Sequence, residues 1–379
     1  MVYPHLFPMM KNYGCNNSVL LFKYPYHCNI SFSMKQQDIR EASLSGLSEL
    51  LSSWGQPSFR AKQIYAWLWQ HNAQSFEEMT NLPILLREKL NEYFIFLNIT
   101  LDKQQISEDG TIKARFKLHD GFNIESVLIP VLDENRFTVC VSSQVGCSLT
   151  CSFCATGKMK RERNLTSGEI VSQVNAINNL CLEHFNKKLT NVVYMGMGEP
   201  LLAYKPVMDS IEKLTSPTGW NMAARRITIS TAGIGKMIRQ LADDGTKTNL
   251  ALSLHAADDE KRNQIMPINE SNNLKAIMEA ISYYYEKTGN RISYEYIAFQ
   301  GFNDSVADAL NLIKLCRNFP VRINIIEYNP IPDAPFEKAS GNKIDIFAKT
   351  IREKGIMVTV RRSRGKDIDA ACGQLANQD

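Results

Sequence analysis

Residues 146–157 read GCSLTCSFCATG and place Cys147, Cys151 and Cys154 in a C-x3-C-x2-C pattern. The stretch follows a β-branched apolar run at 137–141, so the thiols fall in a loop just past a strand. Three thiols this close together are a ligand set rather than packing residues. Two unequal spacings suit a cuboidal iron–sulfur cluster in which each sulfur reaches a different iron. A [4Fe–4S] cluster usually takes four thiolates. Three local ligands leave one iron open, and an open position is what a catalytic metal centre needs. The bland alternatives are a structural zinc site completed by a fourth Cys or His, and plain buried thiols.

Downstream of that first run, short β-branched segments recur at 191–195, 226–230, 249–254, 291–298, 321–328 and 356–360. Helical patterns lie between them at 206–214, 235–243, 274–287, 306–318 and 344–354. Thr166-Ser-Gly-Glu169 reads as a capping box opening a further helix to about residue 182. Alternating β and α segments imply parallel strands with right-handed crossovers, hence a partial (β/α) TIM-like barrel. The unusual residues cluster just past the strand ends. The cysteine loop follows the first strand, Gly196-Met-Gly-Glu-Pro200 the second, Ser230-Thr-Ala-Gly233 the third, Ser253-Leu-His255 the fourth and Asn329-Pro330 the sixth. Parallel α/β barrels build their active sites on that face.

The chain divides into an extension (1–35), a helical accessory segment (36–100), a β-hairpin linker (101–135) and the barrel with its carboxyl-terminal tail (136–379). In the helical segment Leu47, Leu50, Leu51 and Trp54 share one face, and Arg60, Lys62, Arg87 and Lys89 could touch phosphates. Residues 110–130 alternate with period two around His119-Asp120-Gly121, a hairpin signature. The first 34 residues hold no Asp or Glu and only Lys11 and Lys23 as charges. They read as a disordered extension, or as sequence upstream of a true start at Met34, and carry no convincing targeting signal.

Nine cysteines, an odd number with three in one cluster, fit a reducing cytosol better than a disulfide framework. No apolar run is long enough to cross a bilayer. A net charge of +4 permits a nucleic-acid partner without demanding one. Local basic runs at Lys158–Arg163 and Arg361–Lys366 are the candidate phosphate contacts.

A cluster with a vacant iron can chelate the amino and carboxylate groups of S-adenosylmethionine (SAM). Electron transfer into the sulfonium would then release a 5′-deoxyadenosyl radical. Glu199, behind two glycines, could take the SAM ammonium, while Ser230 and Asn329 could bond its carboxylate, ribose or adenine.

The three-cysteine pattern with its glycine–glutamate loop resembles the radical SAM superfamily. The blocks CVSSQVGCSLTCSFC, YMGMGEP, ISTAG, LSLHA and DIDAACGQL are similar to those of the RlmN-like dual-specificity RNA adenine-C2 methyltransferases. The resemblance runs from about Leu47 to Leu375. It implies Cys147, Cys151 and Cys154 as cluster ligands, and Gly198, Glu199, Ser230, Ser253, Leu254, His255 and Asn329 as SAM contacts. It further implies Cys372 as a methylated cysteine, Cys140 as its redox partner and Glu125 as proton acceptor. Two SAM molecules would be used per turnover, and a Cys140–Cys372 disulfide would be reduced in each cycle. The implied substrates are 23S rRNA at the peptidyl-transferase centre and tRNA at the purine beside the anticodon. The implied setting is a cytoplasmic monomer, without a membrane, fed electrons by a flavodoxin or ferredoxin.

By themselves these residues read more plainly: Glu125 as surface on a hairpin, Cys140 as strand core, Cys372 as a small hydrophobe, His255 as structural as readily as ligand-binding. Two rival functions stand beside the resemblance. One is the Cfr-like adenine-C8 methyltransferases, from which Val145, Pro200 and Arg362-Ser-Arg-Gly365 depart. The other is a zinc-dependent RNA-binding module without catalysis.

Overall fold

The computed structural model describes residues 37–377. Ten strands form a single mixed sheet among the described residues: β1 (Thr100–Ile106), β2 (Ile112–Lys117), β3 (Asn123–Val131), β4 (Arg136–Cys140), β5 (Asn191–Tyr194), β6 (Ile227–Thr231), β7 (Asn249–Ser253), β8 (Ile292–Ala298), β9 (Val321–Glu327) and β10 (Met357–Arg361). They lie side by side in chain order. From β4 to β10 every pairing is parallel, and from β1 to β4 every pairing is antiparallel.

Ten helices accompany the strands: α1 (Leu44–Ser53), α2 (Phe59–Trp69), α3 (Ile84–Tyr93), α4 (Ser167–Phe185), α5 (Tyr204–Thr215), α6 (Gly235–Asp243), α7 (Asp259–Ile265), α8 (Leu274–Thr288), α9 (Val306–Leu315) and α10 (Gly341–Arg352). Strand alternation separates two environments. On β8, Ile292, Tyr294 and Tyr296 are buried toward the helices, with Tyr296 stacked 5.1 Å from Phe347 of α10. Its other parity carries Ser293 and Glu295, and Asn324 of β9 donates to Glu295 at 2.8 Å. Parallel strands covered by helices on one face and lined by polar side chains on the other make a barrel wall around a polar lumen.

The α4 capping box is present: Thr166 accepts from the Glu169 amide at 3.1 Å, and Glu169 accepts from the Thr166 amide at 2.9 Å. Arg163 grips both Glu169 oxygens at 2.8 Å, fixing the end of the cysteine loop to this helix. Residues 144–145 and 163–164 pair antiparallel and close the base of that loop. Helices α1 to α3 bury Leu47, Leu51, Leu68, Trp69 and Leu90 in a core continuous with that of the barrel. Glu41 accepts from the Gly168 amide at 2.8 Å, in the first turn of α4, and Arg40 donates to Ser172 at 2.8 Å.

Two elements were absent from the sequence expectation. Strand β1 reads TLDKQQI, whose polar edge character hides its period. Helix α7 reads DEKRNQI, too short and charged to show an apolar stripe. The expected hairpin is β2–β3, and it continues directly into the barrel sheet through β3–β4. Among the described residues no helix is long and apolar enough to cross a membrane.

No pairing joins β10 to β1, so the barrel is partial. The tail after β10 spans the interval. Asp367 accepts from Ser107 at 2.6 Å and from the Glu108 amide at 3.2 Å, and the Gly365 amide donates to Asp109 at 3.0 Å. Both acceptor groups belong to, or sit on, the β1–β2 turn at the far edge of the sheet.

Gly146 tests the loop geometry. Its φ is +72°, and a Cβ there would lie 2.0 Å from the Lys160 carbonyl oxygen. Gly146→Ala should lower the unfolding free energy by at least the ~1–2 kcal/mol of a left-handed backbone, seen by calorimetry as a lower thermal midpoint of the anaerobically purified chain.

Candidate active site

The cysteine loop folds over the strand ends on an apolar bed. Leu149 and Phe153 pack with Ala232, Ala256, Ile265 and Met266, and the three cysteines lie partly buried against this cluster. Burial pushes the Cys147 thiol up to about 11, and the neighbouring Cys154 and Glu199 charges add to it. Cys151 and Cys154 are raised as well, Cys151 by burial and then by its two sister thiols. Three thiols that oppose one another's ionisation fit a site completed by a cationic group. The donor set, three thiols in one short loop that could each reach a different iron, fits an iron–sulfur cluster.

The glycine–glutamate loop lies beside this bed. A Cβ on Gly196 would meet the Val141 backbone at 2.8 Å, and one on Gly198 (φ +97°) would meet Gln144 Cβ at 2.5 Å. Both glycines are required by close approach. The Glu199 amide donates to Gln144 at 2.9 Å. Its carboxylate accepts from the Leu201 amide at 3.0 Å and the Ala232 amide at 2.8 Å. Burial nevertheless raises Glu199 to about 7, because two amides do not replace water around a carboxylate.

The ends of β6 and β7 present Ser230 and Ser253 with their hydroxyls 3.4 Å apart. Leu254 is buried and donates its amide to the Glu295 carbonyl at 3.0 Å. His255 adopts φ +56°, and its Nδ1 accepts from the Ile297 amide at 3.1 Å. Burial, and then the Arg262 charge, lower His255 to about 3, so it is neutral with its proton on Nε2. Its ring meets Phe153 of the cysteine loop edge-on at 4.8 Å.

The tail brings the remaining candidates to the same place. The Ala155 amide donates to the Gly373 carbonyl at 2.7 Å, Thr156 donates to the Leu375 carbonyl at 2.5 Å, and Asn329 donates to the Cys372 carbonyl at 3.4 Å. Cys372 remains accessible, yet dense protein around this recess raises its thiol. Cys140, at the end of β4, is buried, and burial followed by the Cys372 charge raises it. Both are free thiols here.

Glu125 overturns the plain sequence expectation of a surface hairpin residue: it is 1 % exposed. Its Oε2 accepts from the Ala376 and Asn377 amides at 2.9 and 3.2 Å, and its Oε1 lies 3.6 Å from Lys113 Nζ.

The basic runs are less available than their sequence suggested. Arg163 is held by Glu169 and Asp120, and Lys158 donates to the Pro332 carbonyl. Arg362 and Lys366 contact the two oxygens of Glu327 at 2.5 and 2.7 Å, with Lys338 at 3.2 Å. Burial alone would raise Glu327, but hydrogen bonds from Lys366, Arg362 and Lys338 bring it down to about 2. Glu327 and Lys113 carry no sequence signal beyond being charged residues on strands, so their part in anchoring the tail was not legible.

Two pH responses follow. Glu327 stabilises tail docking above its unfolded pKa of roughly 4.3, and that contribution is lost as pH falls toward 2. Amide exchange of residues 362–377 should rise over that window, and Glu327→Gln should remove the step. Glu199, raised rather than lowered, favours the cluster-free fold below roughly pH 4.3 and loses that contribution as pH rises through about 7. Calorimetry of Glu199→Gln should show this decline abolished.

Residues 141–313 match the radical SAM superfamily, and residues 37–96 match the ribosomal RNA large subunit methyltransferase N-terminal domain. A probable dual-specificity RNA methyltransferase RlmN of Cytophaga hutchinsonii is 51% identical over 361 residues, covering 94% of this chain and 98% of that protein. The dual-specificity RNA methyltransferase RlmN of Nautilia profundicola is 41% identical over 343 residues, covering 88% and 97%. The crystal structure of a radical SAM methyltransferase from Sphaerobacter thermophilus superimposes with a TM-score of 0.84 at 42% identity, covering 89% of this chain and 99% of that one. Sequence identity at this level along nearly the whole described fold makes the chain a SAM-dependent methyltransferase that belongs to the RlmN family of the radical SAM superfamily.

Proposed function

We propose that this chain methylates C2 of an adenine in 23S rRNA at the peptidyl-transferase centre and in tRNA at the purine beside the anticodon, with Cys372 as methyl carrier. The relatives named above as dual-specificity RNA methyltransferases support the substrate class. The observation that carries the cysteine route is the docking of the Cys372 loop on Ala155 and Thr156, directly beyond the cysteine triplet, with the Cys140 thiol close by.

Adenine C2 lies between two ring nitrogens and is no nucleophile, so it cannot attack a SAM methyl group directly. A carbon radical can add to it. Cys147, Cys151 and Cys154 would hold a [4Fe–4S] cluster, which with SAM bound would supply a hydrogen-abstracting radical. Glu199 receives the SAM ammonium. Gly198, Ser230, Ser253, Leu254, His255 and Asn329 surround the rest of the molecule.

Cys372 first takes a methyl group from one SAM by displacement. Its raised thiol ionises readily only beside a positive charge, and the SAM sulfonium is one. After hydrogen removal at the expense of a second SAM, the sulfur-bound carbon adds to C2. Glu125 accepts the C2 proton once the tail amides release it. Cys140, as the thiolate, then attacks the Cys372 sulfur as the bond from that sulfur to the base-linked carbon breaks. The freed exocyclic carbon takes a proton to complete the methyl group, and the disulfide, formed with one electron in excess, passes that electron to the external carrier before it is itself reduced. A flavodoxin or ferredoxin in the cytoplasm provides electrons, and the monomer suffices because every group named lies on one chain. The target adenine must be unstacked to present C2, so a partly single-stranded RNA is the substrate form.

The anaerobically reconstituted chain should convert RNA adenosine to the 2-methyl form, separated from the 8-methyl standard by mass spectrometry. Cys372→Ala should keep iron and sulfide but lose RNA methylation at least ~100-fold, as expected for loss of a covalent nucleophile. Cys140→Ala should instead trap a covalent protein–RNA adduct. Methylation retained in Cys372→Ala, or 8-methyladenosine as the product, would falsify this reading.

A further inference from the structure

Helix α7 carries a side chain that the chemistry above leaves unused. Arg262 is 0 % exposed. Its fork donates to the Leu254 carbonyl at 3.1 Å, the Ser253 carbonyl at 3.2 Å, the Ala232 carbonyl at 2.5 Å and Asn269 Oδ1 at 2.6 Å. All four acceptors are neutral oxygens. They satisfy the N–H groups but do not neutralise the charge. Asp259, the acid nearest on the same helix, directs its Oδ1 to Asn269 at 2.9 Å and the Leu274 amide at 2.8 Å. A buried guanidinium without an ion-pair partner costs several kcal/mol, so its counter-charge must come from elsewhere.

The cysteine triplet lies within its electrostatic reach: of the acidic groups acting on Arg262, Cys151 comes ahead of Asp259. The helix is also fastened to the triplet, because Ser152, the residue after Cys151, donates its amide to the Ile265 carbonyl at 3.1 Å. The Ala232 residue whose carbonyl Arg262 binds donates its own amide to Glu199.

We infer that Arg262 is the built-in counter-charge of the three-thiolate cluster, making its one-electron reduction easier while fixing the strand-end shelf on which SAM would lie. This rests on the cluster reading under Proposed function. A cluster held by three thiolates is net negative, and gains one further negative charge when an external reductant delivers an electron. A fixed cation nearby stabilises the reduced form more than the oxidised form.

The test uses the full chain reconstituted anaerobically with iron and sulfide, titrated with dithionite and followed by electron paramagnetic resonance. At a fixed potential near the wild-type midpoint, Arg262→Gln should show an about tenfold lower ratio of reduced to oxidised cluster, which for one electron is about 59 mV. Arg262→Lys, which keeps the charge and loses the fork, should match wild type in iron content and in this ratio. Reduced cluster loading in Arg262→Gln with wild-type loading in Arg262→Lys supports the proposal equally. A wild-type ratio in Arg262→Gln, or an Arg262→Lys closer to Arg262→Gln than to wild type, overturns it. A wild-type chain that takes up no iron and sulfide would instead sink the cluster reading itself.

Discussion

The candidate site exists as one place only because the tail crosses the open edge of the sheet. Hydrogen bonding among strands runs from β10 to β1 and stops. Asp367 on Ser107, Asp109 on Gly365 and Glu125 on Ala376 and Asn377 carry the chain across. Together with the Ala155–Gly373 and Thr156–Leu375 bonds, these links fix Cys372 relative to Cys140, which lies on β4, and to the cysteine loop. The anchors are carboxylates receiving amide and hydroxyl hydrogens, charge-assisted bonds stronger than neutral ones. The tail is thus held by directional contacts together with the burial of Ala370, Ala371 and Leu375.

Buried charge is distributed around the lumen with a consistent logic. Glu327 is neutralised by three cations, Arg362 and Lys366 from the segment after β10 and Lys338 from the loop after β9. Glu125 has Lys113 alongside. Glu199 has two amides and the Thr231 hydroxyl but no cation, and burial raises its carboxyl toward neutrality. Arg262 has only carbonyls and an amide oxygen. The satisfied charges secure the scaffold. The two left without a protein counter-ion flank the cysteine triplet, where a charged cofactor would complete them.

The barrel was legible from the sequence because parallel strands buried beneath helices leave short β-branched runs, and because α4 announces itself with a capping box. The triplet and the glycine–glutamate loop were legible because ligand spacing and close backbone approach restrict residue choice. Other features left no such trace. The burial of Glu125 depends on which face of β3 is covered, and that is decided by a tail more than 240 residues later. The basic run 361–366 looked like a phosphate site because nothing local reveals Glu327 beneath it. Arg262 sits in a charged heptapeptide that reads as solvated helix.

The incomplete wall has a consequence for the size of what can be handled. A barrel stitched shut by strand pairing admits molecules through its two ends alone. Here one side is a strap resting mostly on hydrogen bonds that involve side chains, and lifting it breaks no ladder between strands. A nucleotide still joined to a long polymer could enter sideways, with its backbone remaining outside, where a threaded entry would be topologically barred.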